Sequence, residues 1–209
     1  MSTKAAEALV DVRGVVFRPD DPVTFKSGIQ SPVYCDNRRL PFFPAQWRTV
    51  IEGFAELVAA RGVSFDVVGG IETAGIPHSS AFAYSIAKPS IFVRKAPKEH
   101  GTKRRVEGGD VTGKTVLLIE DLVTTGGSSL SGVEALRAEG AEVRDCLAII
   151  SYGFPEATEQ FAAAGVKLHP LTTFADVLAV VQARGMIDEA GAATVRDWLR
   201  DPHGWADRR

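Results

Sequence analysis

Val116 to Ser129 reads VLLIEDLVTTGGSS, and the order of residue types in it decides the fold class. Four apolar residues, Val116 to Ile119, are what a strand covered on both faces requires, and the reading ends that strand at Glu120 and Asp121, on the rim of a parallel sheet. Thr124, Thr125, Gly126, Gly127, Ser128 and Ser129 then supply hydroxyls and bare backbone, and Leu130, Val133 and Leu136 follow at a spacing of three. That succession predicts a strand, a turn and a helix. The turn also carries chemistry: glycines let backbone N–H groups approach a ligand, hydroxyls add donors, and a helix N-terminus offers partial positive charge. A phosphate fits there. Two carboxylates just before it would repel a polyphosphate unless they face sugar hydroxyls or a divalent cation, so phosphate, ribose and metal are implied together.

Working outward, the same strand-to-helix logic recurs. Phe65 to Gly69 reads as a buried strand, and Gly69 to Ala83 as a second glycine-bearing turn into a helix, where Gly69, Gly70 and Gly75 give the backbone room to wrap a pyrophosphate. Pro44 suits a first helical turn, and Trp47, Val50, Ile51, Phe54, Leu57 and Val58 predict a helix over 44–61 that Gly62 stops. Its apolar stripe is read as core, with no ligand given to Trp47 or Phe54. Further strands are expected at 91–93, 143–152 and 167–173, and helices at 155–164, 174–184 and 188–200. Alternation of this kind predicts an α/β fold: a mostly parallel twisted sheet flanked by helices, with ligands outside the carboxyl ends of the strands.

The N-terminal part differs in character. Residues 3–16 place Ala6, Leu9, Val10 and Val12 on a short helix, read as an appendage, which Gly14 ends. Val23 to Leu40 mixes β-formers with Ser-Gly and Ser-Pro punctuation and predicts two short strands joined by a turn at 26–32.

Composition sets the outer limits. The 209 residues suit one domain, 1–209, and 45% hydrophobic with 24% charged residues is the make-up of a folded chain. A net charge of −2 argues against a surface that grips nucleic acid as a whole. Cys35 and Cys146 are too few for a disulfide framework, fit a reducing compartment, and offer no metal site. His78, His169 and His203 show no metal-ligand spacing either. The N-terminus has no apolar core long enough for a signal peptide, and no run is long enough to cross a bilayer, so the expected location is the cytoplasm, without a membrane partner.

Six of the twelve residues from Arg94 to Arg105 are Lys or Arg, with His100 among them, while Pro97 and Gly101 oppose a regular helix. By charge alone this is a nucleic-acid patch, a solvated loop or a closing lid beside a phosphate site. The common nucleotide loops do not fit the chain: no Lys follows Gly127 as a Walker loop requires, and the central turn has no G-x-G-x-x-G.

What does fit is a family resemblance carried by three stretches. EDLVTTGGS, Glu120 to Ser128, resembles the motif that binds phosphoribosyl pyrophosphate (PRPP) in type I phosphoribosyltransferases. Phe25, Ser27, Gly28, Ser31, Pro32, Tyr34, Asp36 and Arg38 resemble the N-terminal hood signature of orotate phosphoribosyltransferases. Val93 to Gly101, VRKAPKEHG, resembles the catalytic loop of the same enzymes. The resemblance implies transfer of ribose 5-phosphate from PRPP to orotate, giving orotidine 5′-monophosphate and pyrophosphate on the way to UMP. It implies a hood formed mainly by about 1–40 and a mobile catalytic loop at about 95–108 that reaches across a homodimer.

It also assigns residues. Lys98, His100, Glu120 and Asp121 take catalytic roles, and Arg94, Lys95, Lys98, His100, Glu120, Asp121, Leu122, Val123, Thr124, Thr125, Gly126, Gly127 and Ser128 bind PRPP. Mg²⁺ is the implied cofactor, carried on PRPP with no direct protein ligand. Some orotate enzymes hold the pyrimidine with an Arg in the strand after the central motif, whereas Ile149 to Pro155, IISYGFP, has none. The resemblance gives orotate to Thr124, which matches a family position that contacts it, and to hood residues near Lys26. The alternatives are a purine-type phosphoribosyltransferase, which lacks the hood signature, and a PRPP-sensing regulator, which needs a DNA-binding segment that the short N-terminal stretch does not offer.

Overall fold

The computed structural model describes residues 2–25, 27–97 and 104–208. In chain order these form helix α1 (Ser2–Asp11) and strands β1 (Val15–Phe17), β2 (Val23–Thr24), β3 (Gln30–Ser31) and β4 (Val33–Cys35). A 3₁₀ turn, Asn37–Phe42, leads to α2 (Pro44–Arg61), β5 (Val67–Ile71), α3 (Gly75–Ser85), β6 (Ser90–Val93) and β7 (Val106–Glu107). Then come β8 (Val116–Val123), α4 (Gly127–Ala138), β9 (Asp145–Ser151), α5 (Pro155–Ala163), β10 (Lys167–Thr173), α6 (Phe174–Ala183) and α7 (Glu189–Arg200).

Six strands make the central sheet in the order β10-β9-β8-β5-β6-β7, parallel throughout except for β7, which pairs antiparallel with β6. This is the expected fold class. Apolar side chains fill both faces. On one, Phe54, Phe82, Leu117, Ile119, Phe174 and Trp198 are fully buried, and on the other Val93, Val116, Leu118, Leu136 and Phe161. The all-buried character of β5 and of Val116–Glu120 follows from this double cover.

Local signals fix most boundaries. Helix α2 begins at Pro44 and ends at Gly62, whose φ of 62° is the left-handed cap an L side chain resists. Thr173 and Asp176 form a reciprocal capping box that starts α6. Helix α1 stops at Asp11, earlier than the periodicity suggests, and it is no appendage: Ala5, Ala6 and Leu9 are buried in the same core as α2 and α6.

The sequence expectation for β8 needs one correction. The strand runs through the acids to Val123, because β9 continues the pairing with Leu122↔Ile150 and Val123↔Ser151. On its other side the last pair with β5 is Gly70↔Ile119. The chain therefore overshoots one neighbour, and Glu120 is the first residue beyond it. Connections also reverse direction here, β5 leading to β6 on one side and β8 to β9 on the other. Such a reversal opens a crevice at the carboxyl ends of the two strands.

Near the N-terminus, β1 pairs antiparallel with β4 and β2 with β3, giving two small ribbons where two strands are expected. Beneath them stands an aromatic pillar. Tyr152 stacks on Phe154 and Phe174 at 5.5 and 5.2 Å between ring centres and meets Trp198 edge-on at 5.1 Å. Phe25 rests on it, 5.6 Å from Tyr152, and the Trp198 indole N–H donates to the Gln30 carbonyl at 2.8 Å. The stretch without an Arg thus supports the ribbons above it.

Candidate active site

The turn after β8 is shaped by Gly126. Its φ of 93° is a conformation that L side chains rarely adopt, and a Cβ there would lie 2.9 Å from the Phe161 ring. Helix α4 starts at the next residue, so Ser128 and Ser129 occupy its first turn rather than the loop, and the Leu130 N–H already donates to the Gly126 carbonyl at 2.9 Å. Backbone N–H groups of that first turn have no partner inside the helix. With Leu122, Val123, Thr124, Thr125, Gly126, Gly127, Ser128 and Ser129 they line a cavity of about 380 Å³, closed on one side by Phe25 and Ser27 of the N-terminal ribbons.

Glu120 and Asp121 stand at the mouth of the crevice. The Glu120 side chain is buried and accepts from the Ser129 hydroxyl at 3.4 Å and from the Asp121 N–H at 3.2 Å. Burial, and then the neighbouring Asp121 charge, push its carboxyl up to about 8. Burial raises Asp121 as well, against the opposing hydrogen bonds from Glu120 and Asn37. Neither carboxylate is held in an ion pair with a described residue. Two acids kept partly desolvated and without a cation are poised for a ligand that brings hydroxyls or positive charge.

A second cavity, about 330 Å³, is lined by Ile71, Val93, Arg94, Lys95, Arg105, Ser128 and Ser131. It shares Ser128 with the first. The ends of the cationic segment are tied at its edge: the Arg94 N–H donates to the Arg105 carbonyl at 2.8 Å, and Arg105 donates to the Arg94 carbonyl and to Ser131 at 2.8 to 3.0 Å. The Lys95 N–H donates to Glu72 at 2.9 Å. Strand β7, which brings Arg105 back, is too short for periodicity to announce.

Gly69, Gly70 and Gly75 have a packing cause in the structure. A Cβ on Gly70 would lie 2.1 Å from the Ser79 hydroxyl, and one on Gly75 would lie 2.6 Å from the Ile119 carbonyl oxygen. Bare backbone at these points lets α3 lie directly against β5 and β8, which holds the acid-bearing end of β8 in place.

The structure brings together Arg94, Lys95, Leu122, Val123, Thr124, Thr125, Gly126, Gly127 and Ser128 around two adjoining cavities, with Glu120 and Asp121 immediately before them on β8 but lining neither. Lys26, Lys98 and His100 lie outside the described residues. Sequence reasoning names Ser129 only as a hydroxyl of the turn and assigns no site role to Arg105, Ser131 and Asn37. Only Arg105 carries a signal, as one charge in a basic run.

An α/β sheet whose switch-point strand carries two acids in its last paired stretch, just before a glycine and hydroxyl turn, is the architecture of a phosphoribosyltransferase. Residues 44–159 match the phosphoribosyl transferase domain family. The chain is 37% identical over 204 residues to the orotate phosphoribosyltransferase of Coxiella burnetii, covering 98% of each. The solved orotate phosphoribosyltransferase of Aeropyrum pernix superposes with a TM-score of 0.75 at 28% identity, covering 88% of this chain and 99% of that one. That of Mycobacterium tuberculosis, in complex with PRPP, gives 0.65 at 28% identity, with 84% and 98% covered. The chain belongs to the orotate phosphoribosyltransferase family.

Proposed function

We propose that this crevice transfers ribose 5-phosphate from PRPP to orotate, yielding orotidine 5′-monophosphate and pyrophosphate. The observation that carries the reading is the overshoot of β8 past β5, which leaves Glu120 and Asp121 without a strand on the β5 side, just before the turn 124–128 that shares a cavity with Phe25 and Ser27. Thr124 to Ser128 hold the 5′-phosphate, with the first turn of α4 supplying N–H donors. Glu120 and Asp121 take the 2′ and 3′ hydroxyls, and the cationic ring that forms as the anomeric bond lengthens favours the ionised form of the pair, whose charge stabilises it. Arg94, Lys95 and Arg105 border the cavity that suits the leaving pyrophosphate. Lys98 and His100, as catalytic residues, and Lys26, toward orotate, are assigned by resemblance alone.

Among the described residues no group of three or more His, Cys, Asp or Glu could hold a metal ion, and the two acids are not part of one. That donor set fits a cation that arrives on the substrate's oxygens. Mg²⁺ carried on PRPP supplies charge neutralisation at the leaving pyrophosphate. The working form in this reading is a homodimer in which the catalytic loop serves the partner's site through Lys98 and His100, while Lys95 and Arg105 at its ends stay with this chain's own cavity, and the enzyme is cytoplasmic; no helix of the described residues is long and apolar enough to cross a membrane.

Loss of orotate absorbance with PRPP and Mg²⁺ tests the reaction directly, and no loss refutes it. Thermal shift with pyrophosphate and Mg²⁺ tests the acceptor: orotate stabilises, and stabilisation by hypoxanthine alone would overturn the assignment.

A further inference from the structure

Asn37 is fully buried at the point where the N-terminal ribbons meet β8, and its side-chain bonds to β8 all end on Asp121. Its amide donates to the Asp121 backbone carbonyl at 2.8 Å and reaches the Asp121 carboxylate at 3.5 Å. The orientation of that amide follows from the opposite side, where the Cys35 thiol donates to Asn37 Oδ1 at 3.3 Å. Burial pushes the Cys35 thiol far above its ordinary range, so it remains a donor and the amide nitrogen is left facing Asp121.

The backbone of Asn37 is backed in turn by a buried ring. Trp47 donates its indole N–H to His78 Nδ1 at 3.0 Å, which leaves the proton of the neutral imidazole on Nε2. Burial lowers His78 to about 4, and the ring stays neutral. His78 Nε2 faces the Asn37 backbone without reaching hydrogen-bonding geometry. Asn37 is therefore held by its own side chain, by Cys35 and by the wall that Trp47 and His78 form.

We infer that Asn37 is a positioning residue for the ribose site: its amide fixes the rotamer and orientation of Asp121 so that the carboxylate meets the sugar hydroxyls. The inference rests on the assignment of Glu120 and Asp121 to the ribose. Its physical basis is that β8 beyond Ile119 has lost β5, so the Asp121 carbonyl needs another donor. A buried amide that bonds both the carbonyl and the side chain of one residue restricts that residue more than either bond alone.

The test compares two ligands by calorimetry on the full chain: ribose 5-phosphate, which engages diol and phosphate site, and inorganic phosphate, which engages the phosphate site alone. For Asn37→Ala, and for the isosteric Asn37→Asp, ribose 5-phosphate binds about tenfold more weakly while inorganic phosphate binds as in the parent, the loss expected when one buried hydrogen-bond partner is removed. Equal ribose 5-phosphate affinity in parent and variants overturns the inference. So does parallel loss of both ligands, which marks a merely structural role. A parent protein that binds phosphate and not ribose 5-phosphate refutes the ribose-site reading itself, and the inference with it.

Discussion

Glu120→Gln separates the electrostatic cost of the site from its shape. The Glu120 carboxyl is raised from its ordinary 4.5 to about 8, first by burial and then by the Asp121 charge. Because the folded-state value lies above the unfolded one, the folded protein binds more protons between these limits, and stability falls as pH rises from 4.5 through 8. Below that window both states are protonated and nothing is lost. At 1.36 kcal/mol per pK unit the span sets an upper limit of about 5 kcal/mol. Relaxation around a buried charge keeps the actual cost below that limit, and a gain of about 2 kcal/mol is the expected benefit of the neutral amide at about pH 8.5. Urea unfolding at one protein concentration, at about pH 5 and about pH 8.5, reads the difference. The Glu120→Gln variant should be near-neutral in stability at the lower pH and stabilised at the higher, while kcat/KM for PRPP falls at least about a hundredfold for loss of charge facing the cationic ribose. A stability difference that does not change with pH would refute this reasoning.

Three further outcomes follow from the geometry. Gly75→Ala, with its Cβ 2.6 Å from the Ile119 carbonyl, should cost about 2–4 kcal/mol in thermal unfolding and lower activity with it, since α3 must back away from β8. Arg105→Lys keeps the charge and loses the planar bonds to Arg94 and Ser131, so KM for PRPP should rise about tenfold with little change in melting temperature. Trp198→Phe strands the Gln30 carbonyl and should cost about 1–3 kcal/mol, with orotate affinity weakened as the support under Phe25 loosens; unchanged orotate binding in a destabilised variant would detach the pillar from base recognition.

Legibility in the sequence tracks how local each cause is. Helix α2 and strand β10 are readable at their observed limits because Pro44, Gly62 and the capping box at Thr173 act within a few residues. The end of β8 is not, since Glu120 to Val123 remain in the strand only through pairing with Ala148 to Ser151. Asn37 gives no signal: its partner is 84 positions away, and an Asn after a strand reads as punctuation. The central turn is legible because hydroxyls, glycines and acids lie next to one another there. Gly70 and Gly75 show the reverse, where a letter that suits ligand approach is required by packing between a helix and the sheet.

Strand β10 forms one border of the sheet, and it contains Pro170. The Lys167 N–H points inward to the Arg144 carbonyl at 2.8 Å, and amide direction alternates along a strand, so the Pro170 nitrogen faces outward and bears no hydrogen. A row of outward donors is broken at its middle. Concentrated solutions of the protein should consequently resist the stacking of copies into continuous ribbons along this border, and fibril formation after mild heating should begin elsewhere or not at all.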